Sequence, residues 1–269
     1  MLFVLASWMV LAQAEVPVKA PPKDPLLRRA AALFDTLDFE NARAAYEQAL
    51  SVRLANVDEV VEAYLGVGLC ASTLGDEATA KKAFLKALAL KPDAQLEGVE
   101  ISPRQRGPFD VARGEAKGRT AIRVEHVPTG TWLPGAVMKL EVSVTNDWQQ
   151  LVRGARLAYR REGHAAWEEA AVTGPSPYEL QVPPQGEGVI EYHLTAIDAQ
   201  GSPLAQWRSA EVPQQVRVAE AGIASGPPFY QRPWVWVVAG VVVAASVTTG
   251  AVVTATQTPD YQVRTRPPP

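Results

Sequence analysis

The sequence predicts a multidomain protein in which helices come first, strands follow, and a single transmembrane helix lies near the C-terminus. Three observations support this fold class. Small and apolar residues recur at helical spacing in residues 25–95, and a period of two replaces that spacing from about Ala121 onward. Residues 234–255 contain no charged residue, and a helix of that length covers a hydrocarbon core of about 30 Å.

Residues 1–14 have the pattern of a signal peptide. A short apolar run is followed by Ala12-Gln13-Ala14, the small-x-small pattern that signal peptidase accepts. No Lys or Arg precedes the run, so a buried N-terminal helix is the alternative. Residues 15–24 are rich in proline, which favours an extended leader.

Residues 234–257 are the predicted transmembrane helix, between a linker at 220–233 and a short tail at 258–269. Trp234 and Trp236 stand at its start, where aromatic rings favour the membrane interface, and two arginines follow in the tail. A buried β-hairpin is the alternative, because valine-rich runs also form strands. Small residues at four-residue spacing would let a second copy approach closely, which leaves a homo-oligomer open.

Two stretches of the N-terminal half align at an offset of 38 residues, namely 39–50 and 77–88. In both, a small, an aromatic and a small residue recur at positions i, i+4 and i+7, which share one face of a helix. These residues are Ala42, Tyr46 and Ala49 in the first stretch and Ala80, Phe84 and Ala87 in the second.

Residues 25–95 resemble two tetratricopeptide repeats, whose unit of about 34 residues is a helix-turn-helix with small residues where the helices cross and a proline near its end. The second unit, residues 61–94, fits better than the first, in which Leu54 stands at the proline position and extra residues follow. Gly75 is expected to close one helix and Pro92 to end the next. A generic pair of helical hairpins is the alternative.

Residues 96–119 are expected to form a capping helix or linker, because two repeats leave an apolar end uncovered. Basic residues outnumber acidic ones there only slightly, so we expect a solvated helix and not a binding patch. The expected landmarks are Ser102 as N-cap, Pro103 at the first helical position, Gly107-Pro108 as an interruption, and Phe109 and Val111 as apolar anchors.

Residues 120–219 are predicted to form a β-sandwich, because short alternating segments are separated by turns rich in Gly and Pro. The clearest is Met138–Thr145, where apolar and polar residues alternate throughout. The other candidate strands are 121–125, 155–160, 166–170, 178–182, 189–197 and 215–218.

The stretch from Tyr192 to Gly201 is similar to the sixth strand and following turn of immunoglobulin-like and fibronectin type III-like domains. The resemblance implies a tyrosine corner at Tyr192 and a reversal of the chain through Asp198-x-x-Gly201. Cys70 is the single cysteine, which excludes the disulfide of a disulfide-bonded immunoglobulin domain.

Residues suited to catalysis or metal binding do not form a convincing pattern. His126, His164 and His193 lack paired ligand spacing, and His193 is expected to face solvent. Cys70 is expected to be a buried thiol inside a repeat helix. We therefore predict a non-enzymatic protein without metal or cofactor. The net charge of -3 argues against nucleic-acid binding.

The tetratricopeptide resemblance implies a concave groove, lined by the first helix of each unit, that receives peptides or partner helices. The groove is mostly apolar, which implies a hydrophobic protein surface as its ligand. The alternative is that the β-sandwich or the capping helix fills it. The implied partner-binding residues are Leu27, Arg28, Ala31, Glu62, Leu65, Leu69 and Thr73.

These elements predict a bacterial-type envelope protein that acts as a scaffold for other envelope proteins. The helical and β domains would be exported to the periplasm, and residues 234–257 would anchor them, in the inner membrane. The alternative function is a membrane-anchored, sensor-like module whose β-sandwich contacts the cell wall or another carbohydrate. The sequence itself names neither the partner nor the process.

Overall fold

A computed structural model describes residues 24–96, 101–128 and 130–219. The predicted signal peptide at 1–14 and the predicted transmembrane helix at 234–257 lie outside these ranges, as do the adjoining leader, linker and tail. None of the helices in the described ranges is both long enough and apolar enough to cross a bilayer.

The helical part contains five helices within the described ranges. Each begins directly after a polar residue whose side chain accepts a backbone N–H from the first turn, which explains where the helices start. The helices are α1 (Pro25–Asp35), α2 (Phe39–Leu50), α3 (Val57–Leu74), α4 (Glu77–Leu90) and α5 (Pro103–Ala116), and their N-caps are Asp24, Asp38, Asn56, Asp76 and Ser102.

Both helices of the α3–α4 hairpin end where the sequence predicts. Gly75 caps α3 with a φ of 86°, a left-handed conformation that glycine adopts without steric cost. Helix α4 ends at Leu90, two residues before Pro92. Between these ends, a Cβ on Gly68 would overlap the ring of Phe84, so the two helices approach each other closely at that point.

Helix α5 packs on α3 and α4, and it differs from the sequence prediction at one point. Ser102 and Gln105 form a capping box, and Pro103 occupies the first helical position as predicted. The helix continues through Gly107-Pro108, so the predicted interruption there is wrong. A proline ring clashes with the Cβ of the residue before it, and Gly107 has none, which lets the chain remain helical.

The apolar side of α5 contains only one of the two predicted anchors. Phe109 is buried, and its ring meets Phe84 edge-on with centroids 5.2 Å apart. Val111 is 58% exposed, so its prediction as an anchor is wrong. The buried positions Phe109, Ala112 and Ala116 follow helical spacing, and Val111 falls on the opposite side of the helix.

The described residues after α5 form a β domain of two sheets. Its strands are β1 (Arg123–Glu125), β2 (Thr131–Trp132), β3 (Met138–Thr145), β4 (Gly154–Arg161), β5 (Glu168–Thr173), β6 (Tyr178–Val182), β7 (Gly188–Ile197), β8 (Pro203–Trp207) and β9 (Gln214–Val218). One sheet has the order β1-β3-β6, and the other has the order β2-β9-β7-β4-β5, with β8 also paired to β7. All of these pairings are antiparallel except that of β2 with β9.

The two sheets bury their facing residues in a shared hydrophobic core. Leu140 of β3 and Leu180 of β6 are buried from the smaller sheet, and Leu157 of β4 and Leu194 of β7 from the larger one. Strand β3 alternates buried and exposed positions over its first five residues, as its sequence predicts.

Tyr192 is fully buried within this core, but its hydroxyl has a different partner from the one the resemblance implies. It lies 3.1 Å from Nε2 of His126, whose Nδ1 is 2.7 Å from the backbone oxygen of Glu141. A tyrosine corner instead uses a backbone partner. Tyr192 therefore connects the larger sheet to the chain that follows β1 through a histidine side chain.

His193 does not face open solvent, so that prediction is wrong. Its ring meets Trp167 with centroids 4.9 Å apart, and Trp167 in turn lies under the guanidinium of Arg160 at 4.3 Å. Alternation along β7 places His193 on the side opposite Tyr192, but Trp167 reaches across the sheet and covers it. This burial lowers the pKa of His193.

The helical part contacts the β domain through the loop between α2 and α3. The backbone N–H of Leu54 donates to Oγ of Ser202 at 3.1 Å, and that hydroxyl donates to the backbone oxygen of Val52 at 3.4 Å. Ser202 and Leu54 are both almost completely buried. Arg53 and Glu169 form an exposed ion pair at 3.5 Å, which contributes little by itself.

The turn that presents Ser202 is the predicted Asp198-x-x-Gly201 turn. Oδ1 of Asp198 accepts the backbone N–H groups of Gln200 at 2.9 Å and Ser202 at 2.7 Å, and Gly201 has a φ of 84°. The guanidinium of Arg156 donates to the backbone oxygen of Gly201. The side chains of Asp198 and Arg156 thus both bond the backbone of this turn, and this fixes the position of the Ser202 hydroxyl.

Replacing Ser202 with alanine is expected to lower the free energy of unfolding by about 1–3 kcal/mol, because it leaves the buried N–H of Leu54 without a partner. Urea unfolding of the full chain, followed by tryptophan fluorescence, measures this change. The matched control is Ser209→Ala, whose hydroxyl bonds the N–H of Val212 and the carboxylate of Glu211, two exposed residues. Equal effects of the two substitutions would contradict the docking contact.

Cys70 is a buried thiol in the core of the helical part, as predicted. Burial raises its pKa from 9.0 to about 12, so the reactive thiolate is scarce in the folded protein at neutral pH. A thiol reagent at pH 8 should modify Cys70 slowly in the native chain and rapidly in urea. Rapid native labelling would show that this core is open.

The shift in the pKa of Cys70 also stabilises the fold below pH 9, and this contribution is lost as the pH rises toward 12.

Candidate functional site

The candidate site is a row of half-exposed side chains along α3. Glu62, Leu65, Leu69 and Thr73 follow each other at spacings of three and four residues, which places them on one face of the helix. All four are partly exposed, whereas much of the rest of α3 is buried between α2 and α4. We call these four residues the α3 row.

Helix α1 supplies the other residues that the sequence assigns to the site. Arg28 is exposed and Ala31 is partly exposed. Leu27 is fully buried beside the equally buried Ala30, so it belongs to the core of the helical part and is not offered to a partner. Helices α1 and α3 are in contact, so Arg28 and Ala31 lie on a helix that neighbours the α3 row.

Helix α5 covers one end of the α3 row. The hydroxyl of Thr73 accepts a hydrogen bond from Nε2 of Gln105 at 2.9 Å and donates to the backbone oxygen of Leu69 at 2.9 Å. The capping-box glutamine therefore fixes Thr73 in place. The apolar part of the row, Leu65 and Leu69, lies nearer the N-terminal end of α3.

The β domain approaches α3 from a different side. Tyr64 is close enough to Asp198 for that carboxylate to add to the burial that raises the pKa of the tyrosine. At 100° per residue, Tyr64 projects about 200° around the helix from Glu62. The contact with the β domain therefore lies on the far side of α3 from the row.

The chemistry of the α3 row suits the binding of an apolar surface. Leu65 and Leu69 provide the hydrophobic contact, with Glu62 beside them and Arg28 on the neighbouring helix as charged groups. Glu62 also lies close to Tyr46, where burial first and this carboxylate second raise the pKa of the phenol. Mixed charge around an apolar centre is typical of protein-binding surfaces.

A concave region lies at one end of the β domain, and the sequence analysis did not identify it. It has a volume of about 680 Å³ and is bordered by the loops after β3, β5 and β7, with Asp147, Arg153 and Tyr178 among its residues. Both carboxylate oxygens of Asp147 accept backbone N–H groups, from Leu151 at 2.8 Å and Val152 at 2.9 Å. That carboxylate therefore shapes its own loop. The residues around this region lie mostly in loops and form no recognisable sequence motif, so the sequence did not predict it.

Over the ranges that the structure covers, there is no group of three His, Cys, Asp or Glu residues placed to hold a metal ion. The three histidines lie apart in the fold, and two of them, His126 and His193, contact aromatic rings.

Comparisons with solved structures give only distant likenesses. A structure of a myokine is 15% identical and covers 34% of this chain and 100% of its own, with a TM-score of 0.23. A CARDB domain of a Pyrococcus furiosus protein, solved in complex with di-metal ions, is 13% identical and covers 36% of this chain and 85% of its own, with a TM-score of 0.20. No curated protein matches the chain in sequence.

The comparison with protein families gives one match, which falls on α3 and α4. The tetratricopeptide repeat family matches residues 61–94, which confirms the predicted second unit. The match includes Gly68 and Phe84, a pair at which α3 and α4 approach each other closely, and all four residues of the α3 row. Residues 61–94 are therefore similar to a tetratricopeptide repeat, a repeat that generally mediates interactions between proteins.

Proposed function

We propose that this protein is a non-enzymatic scaffold that binds a partner protein through the α3 row together with Arg28 and Ala31. The observation behind the proposal is that Leu65 and Leu69 stay partly exposed on the repeat, while the β domain contacts α3 on the other side at Tyr64. The partner that fits is a peptide or helix with apolar side chains.

We further propose that the protein is anchored in the bacterial envelope. The support comes from the sequence: residues 1–14 have the pattern of a signal peptide, and residues 234–255 lack charge over a length that would span a bilayer. The order of strands in the two sheets supports an immunoglobulin-like or fibronectin type III-like β-sandwich as the extracytoplasmic module.

Photo-crosslinking in intact cells tests the binding proposal. A photo-reactive amino acid at Leu69 of the full chain should give a crosslinked product with a distinct protein. The same residue at Val111, which is exposed on α5 and outside the proposed site, is the control.

A second substitution makes the outcome decisive. Leu65→Glu should remove the product formed at position 69, because it places a charge in the centre of the apolar contact. The same products at positions 69 and 111, or no product at 69, would contradict the proposed site.

The anchor has its own test. Membranes washed with alkaline carbonate should retain the full chain and release a variant that lacks residues 234–257. Release of the full chain would contradict the anchor without bearing on the α3 row.

A further inference from the structure

The concave region at the end of the β domain has the size and lining of a small-molecule site. Its volume of about 680 Å³ falls within the range of about 300–1,000 Å³ that is usual for ligand pockets. All of its lining residues belong to the β domain, so it is separate from the α3 row. Val144, Val152 and Pro175 give it an apolar lining, to which a few polar side chains are added. We call this region the β cleft.

Tyr178 brings a hydroxyl into the β cleft that the fold itself does not use. The residue begins β6 and is only 4% exposed, because its ring packs in the core between the sheets. Over the described ranges, its hydroxyl has no hydrogen-bond partner. The oxygen is not sealed inside the protein either, since the fully enclosed side-chain atoms without a partner in those ranges belong to Trp148 and His193. The hydroxyl therefore reaches out of the core into the β cleft.

Tyr159 shows the usual arrangement for a tyrosine of this domain. It is 5% exposed, about as buried as Tyr178, and its hydroxyl donates to a carboxylate oxygen of Glu168 at 2.6 Å. Buried tyrosines generally bond their hydroxyl within the protein in this way. Tyr178 departs from that rule at the one place where its ring borders the cleft, and a bound ligand with an acceptor oxygen would supply the partner.

Two opposite charges accompany the hydroxyl of Tyr178. Asp147 and Arg153 both border the β cleft and lie close enough to act on the phenol: burial raises its pKa first, Asp147 raises it further and Arg153 lowers it. Each oxygen of Asp147 accepts one backbone N–H and has a lone pair for a second donor. The guanidinium of Arg153 donates to the backbone oxygen of Val152 at 3.3 Å, which leaves most of its N–H groups for a ligand.

The loops that carry these groups are joined to one another by hydrogen bonds. The N–H of Arg153 donates to the backbone oxygen of Ile197 at 2.8 Å, and its backbone oxygen accepts the N–H of Gly174 at 3.0 Å. The N–H of Val144 donates to Oγ of Ser176 at 3.1 Å. The connections after β3 and β5 and the end of β7 therefore form one unit, and the cleft is built before a ligand arrives.

We propose that the β cleft binds a small zwitterion, namely an α-amino acid with an apolar side chain. Its carboxylate would accept hydrogen bonds from Arg153 and Tyr178, and its ammonium would donate to Asp147. The side chain would contact Val144 and Val152. A ligand with both charges suits the cleft better than an anion, which Asp147 would repel, or a cation, which Arg153 would repel. This site is independent of the α3 row and of the anchor.

Isothermal titration calorimetry of the full chain tests the proposal with L-leucine and, for a larger side chain, L-phenylalanine. Leucinamide lacks the carboxylate and N-acetyl-L-leucine lacks the ammonium, so each keeps only one of the two charged contacts. Each should bind at least about 10-fold more weakly than leucine, because a charge-assisted hydrogen bond is lost. Binding of neither free amino acid, or equal binding of leucine and either derivative, would overturn the proposal.

A matched pair of tyrosine variants locates the site. Tyr178→Phe should weaken leucine binding about 10-fold and leave the urea unfolding midpoint unchanged or higher, because the hydroxyl has no bond within the fold to lose. Tyr159→Phe should bind leucine as the native chain does and unfold at a lower urea concentration, because it loses the bond to Glu168. A loss of stability in Tyr178→Phe like that in Tyr159→Phe would show that its hydroxyl is bonded internally, and would overturn the site.

A charge variant assigns the contact with the ligand carboxylate. Arg153→Gln keeps a polar side chain at an exposed position but removes the positive charge. It should lose the preference for leucine over leucinamide and keep the preference for leucine over N-acetyl-L-leucine. An unchanged preference for leucine over leucinamide would contradict the role of Arg153 and overturn the proposed orientation of the zwitterion.

Discussion

Replacing Gly154 with alanine is expected to destabilise the protein by about 3 kcal/mol or more, the upper part of the range for overfilling a packed interior. Gly154 begins β4, and a Cβ there would overlap the backbone oxygen of Val172 in β5. A backbone atom cannot turn away as a side chain can. The pairing of β4 with β5 would have to open at Gly154 and Thr173, which are partners in the sheet.

Urea unfolding of the full chain measures this effect, and Gly114→Ala is the matched control. Nothing lies within 4 Å of a Cβ at Gly114 on α5, so alanine there should stabilise the protein by about 1 kcal/mol through its helix propensity. A variant at Gly154 that unfolds at the same denaturant concentration as the native chain would show that the register of β4 and β5 is wrong.

Replacing Gly68 with alanine should destabilise the helical part by about 1–2 kcal/mol, although alanine is normally preferred to glycine within a helix. The new methyl group would overlap the ring of Phe84. That ring is fully buried and is held from the other side by Phe109, so it has little room to move.

A double-mutant cycle separates this overlap from other effects. Phe84→Leu alone should destabilise the protein by removing aromatic volume, but it should also make space for the methyl group at position 68. The double variant should therefore be more stable than the sum of the two single changes implies. Strict additivity would contradict the close approach of α3 and α4.

Much of the fold follows from the sequence where one periodicity continues for several residues. Strand β3 occupies Met138–Thr145 and strand β6 occupies Tyr178–Val182, both as the alternation predicts. Gly75 and Ser102 mark helix ends as expected, because their roles depend on local backbone geometry alone.

Other features depend on contacts between distant residues and have no local signal. Strands β2 and β8 were not predicted: β2 has two residues and β8 follows a buried serine. The first repeat departs from the tetratricopeptide pattern around Leu54, and in the structure the loop that contains Leu54 has a role outside the repeat. That loop holds the β domain through Ser202, a partner 148 positions away in the chain.

The candidate site was only partly predictable for the same reason. Helical spacing identifies Leu65 and Leu69 as neighbours on one face, but it cannot say which side of α3 the β domain contacts. The proximity of Asp198 to Tyr64 in the folded chain shows which side it is. Leu27 shows the converse, since a position assigned to the groove by its place in the repeat is fully buried.

The most direct test of the proposed scaffold is the affinity of the purified protein for the partner identified by crosslinking. The variant Leu65→Glu/Leu69→Glu should bind at least about 30-fold more weakly, the effect of losing about 2 kcal/mol at the centre of an interface. Val111→Glu, a matched charge on α5, should bind as the native protein does. Undiminished binding by the double variant, or equal losses in both, would contradict recognition through the α3 row.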